Sequence, residues 1–516
     1  NTLSAVFYIL AALAYLRFDR ERTARWHAAA LLLFTFALLS KSVTATLPAA
    51  LLVLVWWRRA RISAKRDLAP LLPFLALGAI MGFVTAHLER VHVGASGSSF
   101  ELGPAGRLLV AGRALWFYLA KIVWPADLTF IYPRWTLDAS SPAQWFFPVS
   151  ALVVLACFWF VRGRTRAPLA AGLLFAGTLF PALGFVNLFP FLYSFVADHF
   201  QYLAMAMVAA AAAAAASSAG RMAGISRLVC FGVTLLLGLL TWRQCRAYES
   251  SESLWRATIE RNPVCWMAFN NLAVDDLKAD RVDAAIAHVT EGLRLKPDNA
   301  AAHATLGEAM GRQGRPLPAL REYERALELE PYNAAAHTNL ADTLLGLGRI
   351  DESMAHFRSA LEVNPESAKA MSGLGEAYLR RGDTDLAIEE LGRSLGADPA
   401  DASVHANLGT ALMIKGRTQE ATVQYEVGVG LDPALLVAQY NLGNALIQSG
   451  NFSSAAVHLS KALAISPDFQ PAHASLGYAL LKEGKSEQAL SHLRRALELD
   501  PADPRAKGYL SEALGH

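Results

Sequence analysis

The chain has 516 residues and carries 47 Lys and Arg against 44 Asp and Glu, a formal net charge of +3. So nearly neutral a total selects no partner and gives no reason to expect nucleic acid. No zinc-ligand spacing, phosphate-cradling Gly loop or Ser/His/Asp arrangement stands out either. The residues divide unevenly: 1–245 are long apolar runs broken by short basic clusters, and 246–516 alternate charged and apolar positions at helical spacing. This predicts an all-α chain, a polytopic helical membrane domain followed by a soluble helical domain, joined without a Gly/Ser-rich or Pro-rich linker.

The first residue is Asn1, and the apolar sequence is under way at Leu3 with no signal-peptide pattern, so the chain reads as a fragment lacking its amino-terminal end. A bilayer span takes roughly 20 apolar residues at about 1.5 Å each. The candidate runs are 2–18, 26–40, 43–57, 69–88, 145–161, 169–187, 200–216 and 228–242, about eight spans. Basic clusters flank the stretch Trp26 to Trp57 on both sides, Arg17 to Arg25 and Arg58 to Arg66, and positive clusters stay in the cytoplasm. A hairpin results, with Ser40, Lys41 and Ser42 at its outer tip, which also spares Lys41 the cost of the bilayer centre. The same rule places Arg162 to Arg166 and Arg221 to Arg227 inside. It leaves 108–124 as an amphipathic or re-entrant helix on the outer face, and puts everything after Trp242 outside the cytoplasm. Cys157 and Cys230 read as small membrane-facing fillers. Cys245 and Cys265 could pair in an oxidising compartment, although two cysteines make no framework.

The outer surface then consists of Lys41, the loop from Glu89 to Gln144 and the loop from Leu188 to Gln201. In the first loop, Arg134 stands among the aromatics of Trp124 to Trp135. Two readings stay open for it: a guanidinium that clamps a lipid phosphate with paired donors, or a side chain snorkelling in an aromatic belt. In the second loop, Asp198-His199-Phe200-Gln201-Tyr202 places an acid and a histidine at the mouth of a span, and Asp198 reads either as part of a site or as a helix cap.

In the soluble half, Pro263, Pro297, Pro331, Pro365, Pro399, Pro433, Pro467 and Pro501 recur every 34 residues, the period of the tetratricopeptide repeat (TPR). A half repeat over Tyr248 to Asn262 precedes seven full repeats from 266 to 503, and a capping helix closes the α-solenoid. Each first helix carries Leu followed by Gly or Ala. Gly314, Gly348, Gly382, Gly416, Gly450 and Gly484 end it, with Asp280 the departure. Second helices pair a small with a large residue, such as Ala319 with Tyr323, as core. Asn271, Asn339, Asn407 and Asn441 share one place before the Leu, where an amide ladder would grip the backbone of an extended peptide. Thr305, Gly373 and Ser475 interrupt the ladder, and Asn as a tolerated residue on an exposed face is the competing reading.

The motifs Leu39-Ser40-Lys41, Tyr132-Pro133-Arg134 and Ala197 to Leu203, with appended repeats, make the chain resemble the transmembrane and tetratricopeptide-repeat protein O-mannosyltransferases and their bacterial relatives. The resemblance implies a membrane-embedded glycosyltransferase of the bacterial inner membrane. It would move a sugar from a polyprenyl-phosphate donor to a protein hydroxyl held by extracytoplasmic repeats, with no covalent cofactor. Lys41 and Arg134 would meet the lipid phosphate; Asp198, His199 and Tyr202 would line the acceptor side. The family's catalytic acid, aided by a divalent metal in some relatives, falls upstream of Asn1, so no catalytic residue is assigned. Nothing in the sequence itself supports a metal. The alternative is a non-catalytic, membrane-anchored scaffold for protein partners in the cell envelope. Transport ranks last, because the spans hold almost no ionisable residues.

Overall fold

The computed structural model describes residues 2–91, 102–187, 189–218 and 223–515. Part of the outer loop after Glu89, Leu188, the start of the Arg221 cluster and the Cys230 side chain lie outside the described residues. Every element among the described residues is helical, and the chain divides into two compact units, 1–272 and 273–516.

The first unit opens with α1 (Thr2–Glu21), α2 (Ala24–Ser40), α3 (Leu47–Arg59) and α4 (Leu72–Val91). The chain does not run straight from α2 into α3: Lys41 is extended at φ −165°, and a 3₁₀ turn over Ser42–Thr46 follows. The return is visible at the far end. There Arg59 pairs with Asp19 and, at 2.9 Å, with Asp67, while Arg22 reaches Asp19 at 2.6 Å. Both carboxylates are buried, so the two basic clusters share one end of the unit and are tied by a buried ion network.

Next come α5 (Pro104–Val123), α6 (Pro142–Val161), α7 (Ala167–Leu179), α8 (Tyr202–Ser218) and α9 (Ala223–Cys245). The stretch expected to be amphipathic or re-entrant is one unbroken helix, α5, started by Pro104 in the position where its missing N–H costs nothing. Gly112 lies so close to Pro148 of α6 that a Cβ would fall under 3.0 Å from the Pro148 backbone. Arg107 donates to the Gly184 carbonyl at 2.7 Å and Tyr118 accepts from the Ala197 N–H at 3.1 Å, so the 184–197 connection holds α5 at two points.

Among the described residues three helices are long and apolar enough to cross a membrane, Thr2–Glu21, Ala64–Glu89 and Pro142–Val161. Ala24–Ser40, Ala167–Ala182 and Tyr202–Ala213 are shorter apolar helices. None of the α6 side chains is buried, with Phe160 83% exposed, and so much bare hydrocarbon suits lipid rather than water. Cys157, on α6, is exposed and free, as is Cys245, while Cys265 is free and buried.

After α9, helix α10 (Ser251–Arg261), capped by a reciprocal Ser250–Ser253 pair, leads into α11 (Trp266–Lys278), within which the unit boundary falls. In the second unit the first helices of the repeats are α13 (Ala300–Arg312), α15 (Ala334–Gly346), α17 (Ala368–Arg381), α19 (Ala402–Ile414), α21 (Leu436–Gln448) and α23 (Gln470–Lys482). The second helices are α12 (Val282–Leu295), α14 (Pro316–Leu329), α16 (Ile350–Val363), α18 (Thr384–Ala397), α20 (Thr418–Leu431), α22 (Phe452–Ile465) and α24 (Ser486–Leu499), and α25 (Pro504–Leu514) closes the stack. The six turn glycines lie at φ between 75° and 92°, and Asp280 takes the same left-handed conformation at 57°.

Small residues in the first helices let large ones in the second seat against them. Tyr323 lies on Gly307, Leu391 on Gly375 and Tyr425 on Gly409, each where a Cβ would be closer than 3.0 Å. In the third repeat Ala341 holds that place, and the fully buried Phe357 lies against Gly373 of the next repeat. This packing accounts for the gap in the Asn ladder at Gly373.

Candidate functional site

Two groups of residues flank Phe200 in the first unit. On one side the extended Lys41 peptide aims its side chain into a cavity of about 690 Å³, lined at its polar end by Lys41, Ser42, Thr46, Glu89 and His199. Leu75, Gly78, Gly82 and Pro181 also line it. Ser40 turns away, its hydroxyl spent on the Phe36 carbonyl at 2.7 Å. Burial holds the Lys41 ammonium below its ordinary value, and the apolar surroundings followed by Lys41 itself hold the His199 imidazole down. Lys41, His199 and the 46% exposed Tyr202 also share a smaller cleft. Lys41 and His199 thus share a largely apolar lining with the Glu89 carboxylate.

On the other side Tyr132 donates to the Asp198 carboxylate at 2.8 Å. Burial pushes Asp198 above the usual carboxylate range against the pull of that hydrogen bond, and burial and then the carboxylate push the Tyr132 phenol up. The helix-cap reading of Asp198 is thereby corrected: the short turn it begins has no side-chain cap, and its partner lies 66 residues upstream. Lys121 approaches the Tyr132 ring at 5.6 Å and donates to the Ala126 carbonyl at 2.6 Å. Arg134 lies over the Phe195 ring at 4.9 Å with its guanidinium held below its ordinary value by burial. Neither Arg134 nor Asp198 lines the Lys41 cavity, so the structure brings Lys41, His199 and Tyr202 together and places the other two candidates apart from that lining.

The loop that carries Tyr132 is fixed from downstream. Gln244 donates to the Leu128 carbonyl at 3.2 Å, Arg261 donates to the same carbonyl, and Asn262 donates to the Ile131 carbonyl at 3.2 Å. Trp255 of α10 packs edge-on to Phe130, and Cys265 and Ala268 bury Ile131. Among the described residues no three His, Cys, Asp or Glu side chains converge as a metal site.

On the repeats, Asn271, Asn339, Asn407 and Asn441 are all half-buried. The ladder is partly spent within the protein: Asn339 accepts from Lys369 at 2.8 Å and Asn441 donates to Thr410 at 3.3 Å, both partners on the adjoining repeat. The side-chain amides of Asn407 and, three residues beyond Asn441, of Asn444 make no hydrogen bond among the described residues.

A second polar row went unnoticed in the sequence. His303, His337, His405, Gln439 and His473 bond across each repeat to Glu322, His356, Gln424, His458 and His492 at 2.7 to 3.0 Å, always 19 residues on. The same five also bond the carbonyl of the proline six residues before them. The recurrence of His or Gln at the fourth place of a repeat was the available signal, and the row is structural: it ties first helix, second helix and preceding turn.

Family models described as Tetratricopeptide repeat match residues 305–368, 338–402 and 373–434, and again 446–514. No curated protein matches the chain. Among solved structures the chain is similar to YrrB, described as a TPR protein with an unusual peptide-binding site, at 22% identity over 36% of this chain and 96% of that one, TM-score 0.32. It is similar also to PilF of Pseudomonas aeruginosa, 19% identical over 43% and 97%, TM-score 0.38. A tetratricopeptide repeat protein from Parabacteroides merdae is 17% identical over 48% and 98%, TM-score 0.37. The chain carries tetratricopeptide repeats, a protein-interaction scaffold, on an all-helical fold.

Proposed function

We propose that this is a membrane-anchored tetratricopeptide-repeat protein that holds an extended segment of a partner protein outside the cytoplasm, on the face shared by the first helices. The observation that carries the reading is the recurrence of half-buried amides on that face, with those of Asn407 and Asn444 unengaged among the described residues. An amide whose donor and acceptor are both open matches a peptide backbone and makes little demand on side chains. The test is selection of biotinylated twelve-residue peptides on the immobilised full chain, followed by titration against Asn407→Ala/Asn441→Ala. Loss of affinity of tenfold or more supports the reading; undiminished binding, or no enriched peptide, refutes it. A reporter fused after His516 that is active in the cytosol would refute the sidedness.

A second reading, favoured by the cavity shared by Lys41 and His199, is transfer of a sugar from a polyprenyl-phosphate carrier to a hydroxyl of the held segment. The hydroxyl oxygen would bond to the sugar's anomeric carbon as the bond to phosphate breaks, and the hydroxyl proton would leave to a base. Lys41 would stabilise the charge gathering on the departing phosphate, the apolar lining of the cavity would take the first isoprene units, and His199 and Tyr202 would lie toward the acceptor. Arg134 would hold phosphate at the interface, and Asp198, bonded to Tyr132, would border the acceptor path. Membranes containing the protein, supplied with a radiolabelled polyprenyl-phosphate sugar, should lose transfer on Lys41→Ala and on Arg134→Ala. Full transfer in both variants removes this reading and leaves the first intact.

A further inference from the structure

The face shared by the first helices is not chemically uniform, and the difference selects a partner. In the second and fourth repeats its ninth and thirteenth positions are an acid and a base already paired with one another, Glu308 with Arg312 and Glu376 with Arg380, each at 2.6 Å. In the third repeat Asp342 is paired with Lys369 at 3.1 Å. At the other end Lys482 is held by Glu512 at 2.6 Å, over a stacked Tyr478 and Tyr509. Between these stands a window without charge. In α19 the second, sixth, ninth and thirteenth positions are Ser403, Asn407, Thr410 and Ile414; in α21 they are Val437, Asn441, Asn444 and Gln448. Ile414 is 62% and Val437 51% exposed, although both are large and apolar.

We propose that the fifth and sixth repeats bind an uncharged extended peptide segment, of small polar and aliphatic residues, and reject charged ones. The proposal rests on the peptide-holding reading and names its partner. Neighbouring helices lie about 8–10 Å apart, so an extended strand at about 3.3 Å per residue crosses both with about six residues. Over this window a buried Asp or Lys of the partner would give up hydration and find no counter-ion, whereas a neutral backbone finds Asn407, Asn444 and Gln448 as donors and acceptors. The flanking ion pairs enforce the choice, because every charge there has a partner that an incoming group must displace. Ile414 and Val437 supply the apolar contact that aliphatic side chains of the segment would cover.

The probe is a fluorescein-labelled, end-blocked decapeptide of Ala, Ser, Asn and Val, with two derivatives carrying Asp or Lys at both central positions, titrated by anisotropy against the full chain in detergent. Expected is binding of the neutral peptide that changes less than twofold between 50 and 500 mM salt, with at least tenfold weaker binding of both charged derivatives. Asn407→Ala/Asn444→Ala should weaken the neutral peptide fivefold or more, with an unchanged helical circular dichroism signal. Preference for either charged derivative overturns the proposed selectivity and leaves the peptide-holding reading standing. Neutral binding indifferent to the double substitution overturns the placement in this window. Failure of all three peptides, with none enriched from the twelve-residue selection, overturns both.

Discussion

Gly373 occupies a position where a longer side chain would complete the row of asparagines, yet the structure makes that substitution costly. A Cβ built there falls closer than 3.0 Å to the Phe357 ring, which is 0% exposed. Carbon atoms at ease stand about 3.5–4.0 Å apart, so Gly373→Ala forces the ring or the helix to shift, and overpacking of this kind costs about 1–3 kcal/mol. Helix propensity returns about 1 kcal/mol. Taking the upper part of the range for a fully buried ring, the net loss is about 2 kcal/mol. Gly392, mid-way along α18 with nothing near its missing Cβ, gives the opposite sign: Gly392→Ala should gain up to about 1 kcal/mol. Amide hydrogen exchange on the full chain reads both locally. Exchange in 350–381 should speed by about 30-fold in Gly373→Ala, and that in 384–397 should slow up to about fivefold in Gly392→Ala. Phe357→Leu should rescue the first variant, since Leu391, Leu459 and Leu493 hold the equivalent place. Slower or unchanged exchange in Gly373→Ala would refute the packing argument.

Burial, and then the neighbouring imidazole, hold His356 and His492 below their ordinary values. The folded state therefore favours the neutral ring: this stability is whole above about pH 6.5 and declines as pH falls from there toward the depressed values. The thermal midpoint should drop between pH 7 and 5, and His356→Gln/His492→Gln, which keeps a cross-repeat acceptor as Gln424 does, should remove at least half the slope; an unchanged slope refutes it. Tyr132→Phe strips Asp198 of its donor and should destabilise the first unit by about 1–3 kcal/mol, seen as faster exchange at 197–203; equal exchange would show the bond to be idle. Arg59→Met leaves Arg22 to hold the buried Asp19 and Asp67 by itself, and a loss of about 1–3 kcal/mol should lower the thermal midpoint in detergent, where an unaltered midpoint would count against the network.

What was legible in the chain was what repeats or stays local. Prolines spaced by 34 residues mark the repeats because each helix pair solves the same packing problem, and the turn glycines declare their left-handed backbone because little else takes it cheaply. Asp280, the one departure, adopts it too. The hairpin at Lys41 was readable from charge alone, since two basic clusters had to share an end. The partners that give the site its character were not readable: Tyr132 reaches Asp198 across 66 residues and Lys41 meets His199 from another part of the fold, and no periodicity encodes such pairs. The asparagines were visible, but their neighbours Lys369 and Thr410 belong to adjoining repeats, so how much of each amide was already spent emerged only with the packing.

The clasp on the Tyr132 loop also sets an order of events during biosynthesis. The Leu128 and Ile131 carbonyls are held by Gln244, Arg261 and Asn262, between 116 and 133 residues later in the chain. A ribosome that has delivered the helices through α9 has therefore made every atom of the Tyr132–Asp198 pair but only Gln244 of the three side chains that hold its loop. Arg261 and Asn262 follow later in translation, so a chain interrupted before them would carry the pair on a loop held at one point of three.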